Sequence, residues 1–181
     1  MARPAPWRAF DTREALLLAF FATFIVLAKA ALRWHLHVPG HSMFTTALFL
    51  VVARACVKRP TAATLVGVLA GIACALMGMG KGGPMIALKL VLPGVMVDLG
   101  ALSSGERLSV TWQAALIGAA AGASHFLPVA LVERLAGLDA DLVLAHAALS
   151  AGTKAGFGAL GGAAGAVIVA RLRHHGLLPE S

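Results

Sequence analysis

Three of the seven histidines, His35, His37 and His41, fall within seven residues of one another in Arg33-Trp34-His35-Leu36-His37-Val38-Pro39-Gly40-His41-Ser42. His35 and His37 form an HxH pair, and His37 and His41 an HxxxH pair. Neutral imidazoles are ligands for Zn, Ni, Co and Cu, and three in one stretch supply most of a coordination shell. The same rings suit hydrogen bonding to an organic ligand or to the loop's own backbone. Spacing does not choose among these three, because Val38-Pro39-Gly40 reads as a turn, in which Pro fixes φ and Gly supplies freedom.

The surrounding chain is apolar. Of 181 residues, 59% are hydrophobic and only 13% charged, against about 45–50% and about 25% in ordinary soluble domains. So little polar surface cannot cover a soluble globule. The composition therefore predicts an all-α, polytopic membrane protein. The net charge of +7 is then a matter of topology rather than of nucleic-acid binding. Cys56 and Cys74 lie in separate apolar runs, with no CxxC or Cys/His pattern, and read as small buried residues. No G-x-x-x-x-G-K-[ST] sequence is present, so ATP hydrolysis by that route is excluded.

Six apolar runs are expected to span the bilayer as one domain over 1–181, at about 15–32, 43–57, 61–79, 85–102, 108–132 and 142–169. Arg3, Arg8 and Arg13 precede the first run, which carries Lys29. A cleaved signal peptide is the competing reading of that run, with Ala28-Lys29-Ala30 as its site. The fourth run holds Lys89, Pro93-Gly94 and Asp98, and the fifth holds His125 and Pro128. With the N-terminus inside, nine basic residues lie on the cytoplasmic side and four in outer loops and ends. The positive-inside rule then places both termini in the cytoplasm.

This topology gathers the polar groups. The histidine loop lies outside between the first two spans, and Lys81 outside between the third and fourth. Lys89 is one to two turns into the fourth span, and His125 about two turns from the outer end of the fifth. His146 starts the sixth span, with Lys154 two turns deeper on nearly the same face. Ionisable groups in a bilayer face a cavity or a partner, so His35, His37, His41, Lys81, Lys89, His125, His146 and Lys154 are the candidate substrate-binding set, with His35, His37 and His41 as the candidate metal ligands. Each has a plainer alternative: an interfacial anchor for Lys81 and Lys89, an interhelical hydrogen bond for His125. Asp98, in the inner half, is expected to pair with a helix neighbour or with Arg54. His174 and His175 read as solvated.

The architecture resembles a substrate-binding S component of an energy-coupling factor (ECF) transporter. The first span opens Ala15-Leu16-Leu17-Leu18-Ala19-Phe20-Phe21-Ala22, similar to the small-xxx-small pattern with which S components dock on the transmembrane T component; small residues let another helix approach. Lys89 to Leu99 resembles the Pro/Gly-broken fourth span of several members, and Gly156 to Gly165 their Gly-rich last helix. The resemblance implies docking through Ala15, Ala19 and Ala22, a T component and two ATPases as partners, and capture of a vitamin or metal ion followed by toppling in the inner membrane. It also implies that the chain is not itself an enzyme. The Met-His start of nickel and cobalt members is absent, and the biotin, riboflavin and thiamine pocket patterns find no match. An outer half rich in Lys and His favours an anionic solute, with a divalent transition metal as the other ligand class. Two further readings remain: a self-sufficient permease or channel, and an intramembrane metalloenzyme. An HxxxH pair occurs in membrane di-iron oxygenases, but the HxxHH boxes they need are missing here.

Overall fold

The computed structural model describes residues 10–35, 40–79, 85–105 and 107–177, the side chains of 32–35 excepted. The described chain is all α: α1 (Thr12–His35), α2 (Ser42–Cys56), α3 (Ala62–Leu76), α4 (Met85–Ser103), α5 (Thr111–Ala123), α6 (Phe126–Leu135) and α7 (Ala140–His174). α5 and α6 follow one another as a single broken span. Among the described residues, four helical stretches are long and apolar enough to cross a membrane: Thr12–Ala31, Met85–Ser103, Thr111–Leu135 and Ala140–His174. By length and composition this is a multi-pass membrane protein. Leu16, Phe20, Leu76, Trp112, Leu116, Leu149 and Leu160 stand exposed, as a lipid-facing surface requires.

α2 and α3 have 15 residues each, about 22 Å at 1.5 Å per residue, short of a ~30 Å hydrocarbon core. Their ends have local causes. Pro60 disfavours helix at the residue before it, and the chain turns extended at Val57. α3 stops because Gly78 takes φ +62°. Its N–H donates to the Ala75 carbonyl while the Met79 N–H donates to that of Cys74, the paired bonds of a Schellman cap. Pro128 breaks the fifth span. Its ring excludes the carbonyl four residues back and offers no N–H, so α5 ends at Ala123, and α6 restarts at Phe126 with His125 at its N-cap.

Glycines set the helix spacing. A Cβ on Gly118 would lie 2.1 Å from the Gly158 carbonyl oxygen, and one on Gly162 2.1 Å from that of Ala114, so the α5 and α7 backbones touch. Gly67 meets the Leu90 carbonyl and Gly94 that of Ala63 in the same way, closing α3 on α4. Gly161 brings α7 against Phe44 of α2. Small residues permit such approach where lipid gives helices no hydrophobic reason to associate. α7 thus touches α2, α5 and α6 along its 35 residues.

One end of the bundle is tied by charge. Arg54 is 0% exposed, and its Nε lies 3.2 Å from Asp98 Oδ1. Asp98 also accepts from the Ala63 N–H (3.1 Å), the Thr64 N–H (2.7 Å) and the Thr64 hydroxyl (2.7 Å). A carboxylate of α4 therefore satisfies the open N–H groups at the start of α3. Arg54 Nη1 reaches the Val57 carbonyl at 3.5 Å, just past the end of α2. The pair expected for Asp98 with Arg54 is present, and it clasps three helix ends. At the same end Arg59 donates twice to Glu14 (3.2 and 3.1 Å), and Arg173 donates to Ser109 (2.8 Å).

Candidate functional site

Counting from that charged end locates the opposite one. Lys29 is 15 residues beyond Glu14, His125 is 16 beyond Ser109, and Lys154 is 19 before Arg173. At 1.5 Å per residue all three lie roughly 22–29 Å from it. Lys29, Lys89 and Lys154 each act Coulombically on His125, and Lys29 and Lys89 act on Lys154. Lys29 also feels Lys89 and Cys74. Four ionisable side chains from α1, α4, the α5–α6 break and α7 share one electrostatic neighbourhood.

Backbone packing fixes two of these positions. A Cβ on Gly122 would lie 2.2 Å from the carbonyl oxygen of Lys154, so α5 rests on α7 at the turn before His125. Gly40, at φ +94°, lies against Phe157 and the Lys154 amide, at 3.2 and 3.6 Å from its would-be Cβ. The end of the histidine loop is thereby seated on α7 beside Lys154, and half-buried His41 follows it directly.

His125 is 7% exposed. Its Nδ1 is buried without a hydrogen bond of normal geometry, although the Ala121 carbonyl one turn back lies within reach of the ring. Buried polar atoms in this state are uncommon and call for a partner. α6 begins at the next residue, so the positive end of its dipole lies beside the imidazole. Pro93 lacks an N–H, which leaves the Lys89 carbonyl without its helical donor.

None of the described carboxylates joins this group. Asp98 belongs to Arg54, Glu14 to Arg59 and Glu133 to His146, while Asp11, Asp139 and Asp141 are exposed. Among the described residues, Lys29, Lys89 and Lys154 make no ion pair.

The expected set thus divides. Lys89, His125 and Lys154 come together, with His41 adjacent through Gly40. His146 does not join them: its ring is 64% exposed and pairs with Glu133 across the α6–α7 hairpin. His37, Lys81 and the side chain of His35 lie outside the described residues. Among the described residues no group of three or more His, Cys, Asp or Glu is arranged to hold a metal ion. Lys29 is the addition. The sequence counts it only toward charge topology, yet a cation inside an apolar run is the signal that marks it. Of the docking alanines, Ala15 and Ala19 are exposed on α1 and Ala22 is buried.

Fold and site together define an all-helical, multi-pass membrane bundle, clasped by ion pairs at one end and carrying toward the other a Lys/His cluster that none of the described carboxylates joins. Compared with known proteins, the chain matches no family model, no curated protein and no solved structure.

Proposed function

We propose that this chain is the substrate-capture S subunit of an ECF-type importer, not itself an enzyme. It crosses the inner membrane six times with both termini cytoplasmic and binds a small anionic solute from outside. The observation that carries this reading is the convergence of Lys29, Lys89 and Lys154 on buried His125 with no described carboxylate among them. Cations gathered in a low-dielectric site are costly, and an anion that arrives from elsewhere would offset that cost. A broken helix beside such a site supports it further, since half-helix N-termini and freed carbonyls form solute sites in transporters.

The energy source must be external to a chain without a nucleotide motif. A groove between α1 and α3, lined by Ala19, Ala22, Thr23, Val26, Leu69 and Ala73, supports docking of a T-component helix on this face. In this reading the T component and two ATPases drive import by toppling the loaded subunit. The test is co-expression with a T component and two ATPases from the same genome. ATP-dependent uptake of a small anion, lost in Lys154→Gln and absent without the ATPases, is expected. Uptake by the purified chain alone in liposomes overturns the capture-subunit reading in favour of a permease.

A further inference from the structure

α7 is longer than the membrane it crosses. Its 35 residues span roughly 52 Å, against a hydrocarbon core of about 30 Å. Even a tilt of about 40° takes up only about 39 Å of that length. Its last turn carries Arg171 and Arg173, and Arg173 donates to Ser109 just before α5, which holds that end at the membrane boundary. The excess therefore stands at the other end, as about three turns of α7 with the end of α6 beside them. The polar content agrees. Glu133, Arg134, Asp139, Asp141 and His146 all fall in this hairpin, and ionisable groups so dense do not sit in hydrocarbon.

The hairpin holds itself together. Val129 of α6 and Val143 and Ala147 of α7 are buried, and His146 pairs with Glu133. Its outward side is uncovered. Leu131, Leu135, Leu138 and Leu142 are 41%, 71%, 48% and 63% exposed, with Leu131 and Leu135 one turn apart on a single stripe of α6. Exposed leucines lower in the bundle face lipid tails at no cost. These four lie beyond the tails, where an apolar patch marks an interaction surface.

Charge indicates the partner. Arg134, Asp139 and Asp141 are exposed, and among the described residues none of the three makes an ion pair. Arg134 is the second-to-last residue of α6 and Asp141 the second of α7, so the antiparallel hairpin puts them at one height. A face with both signs at one height is complementary to itself. Two copies inserted in the same sense are related by a two-fold axis along the membrane normal, and each residue then meets its counterparts at equal height. Arg134 of one copy stands level with Asp141 of the other, twice over, with the leucine stripes between.

We propose that this hairpin is a dimerisation surface whose partner is a second copy of this chain, packed through Leu131, Leu135, Leu138 and Leu142 and kept in register by reciprocal Arg134–Asp141 pairs. It goes beyond the capture reading and does not depend on which solute the bundle binds.

The test measures energy transfer between full-length chains labelled at the C-terminus with donor or acceptor, in liposomes over a range of protein densities, with native mass spectrometry reading the stoichiometry. The wild type is expected to be a dimer. Arg134→Asp and Asp141→Arg are each expected to weaken association by about tenfold or more, because two like-charge contacts replace two attractive ones. Mixing these two single variants is expected to restore it, since acid then faces base at both contacts. Leu131→Gln joined with Leu135→Gln removes four leucines from the dimer and should weaken it by a similar factor. All these positions are exposed, so unfolding midpoints should stay near wild type, and a lost dimer is then not a lost fold.

A chain that is monomeric at every density overturns the proposal. So does a dimer that the charge reversals and the paired Gln changes leave intact, or a mixture that associates no better than either single variant. For a monomer, a spin label at Leu138→Cys in a Cys56→Ala, Cys74→Ala chain reads what covers the stripe instead. Relaxation by oxygen dissolved in lipid assigns it to the headgroup layer, and relaxation by a water-soluble nickel chelate leaves it bare.

Discussion

At the scale of residues, Asp98 and His146 illustrate opposite weights of the same kind of pair. Asp98 is buried, with a guanidinium and three hydrogen-bond donors around it. Asp98→Ala strands Arg54 in an apolar surrounding and is expected to cost about 3–5 kcal/mol, read as a lowered unfolding midpoint in detergent. Joining it with Arg54→Met should recover part of that loss, because the unpaired charge is gone while the α3 N-terminus still lacks its acceptor. His146 is largely exposed, and exposed pairs contribute at most about 1 kcal/mol. His146→Ala should therefore leave both stability and anion binding close to wild type. Loss of binding in that variant would return His146 to the site. The pairing of Arg54 with Asp98 was half readable in the sequence: a charge in the inner half of the fourth run called for a partner, and Arg54 was one of the two alternatives. Lys29 was not, because a single lysine in an apolar helix reads equally as a snorkelling residue.

At the scale of elements, the contacts between α5 and α7 depend on where a Cβ fits. Gly118→Ala and Gly162→Ala put a methyl into a facing carbonyl and should destabilise by about 1–3 kcal/mol through forced separation of the helices. Gly152→Ala and Gly156→Ala meet open space in the same helix and should be neutral or stabilising by up to ~1 kcal/mol through helix propensity. Thermal unfolding of the four variants side by side checks this. Glycine richness was visible in the sequence, but not which glycines face a neighbour, since that depends on helix rotation. The break in the fifth span was similarly half legible. Pro128 was seen, while the restart at Phe126 with His125 as its cap required the backbone. Pro128→Ala removes the reason for the break. It is expected to weaken anion binding more than it lowers the unfolding midpoint, because a continuous helix carries His125 and the α6 dipole away from the lysines.

At the scale of the whole molecule, the all-α class and the membrane character followed from composition. The grouping of Lys89, His125 and Lys154 was an expectation from counting depth along each run. The cross-chain packing that seats Gly40 on α7 had no sequence signal, because nothing local says which helix a loop returns to. The exposed face of α1 belongs to this scale as well. Ala19→Trp should fill the groove against α3 and abolish co-purification with a T component, while anion binding by the isolated chain stays within about twofold, a change far below the tenfold that one lost charge contact gives. Lost anion binding in the isolated variant would instead tie the groove to the solute site.

The clasp of Arg54 and Asp98 also bears on how the chain enters its membrane during synthesis. α2 leaves the ribosome before α4, is only 15 residues long, and carries in its last turn an arginine that without a partner would have to reach out to water. Its neutralising partner is still 44 residues away in the chain. α2 therefore depends on a helix not yet made. Burial of that arginine waits for α4 to arrive with Asp98, so α2, α3 and α4 are expected to pack as one cooperative unit rather than in sequence.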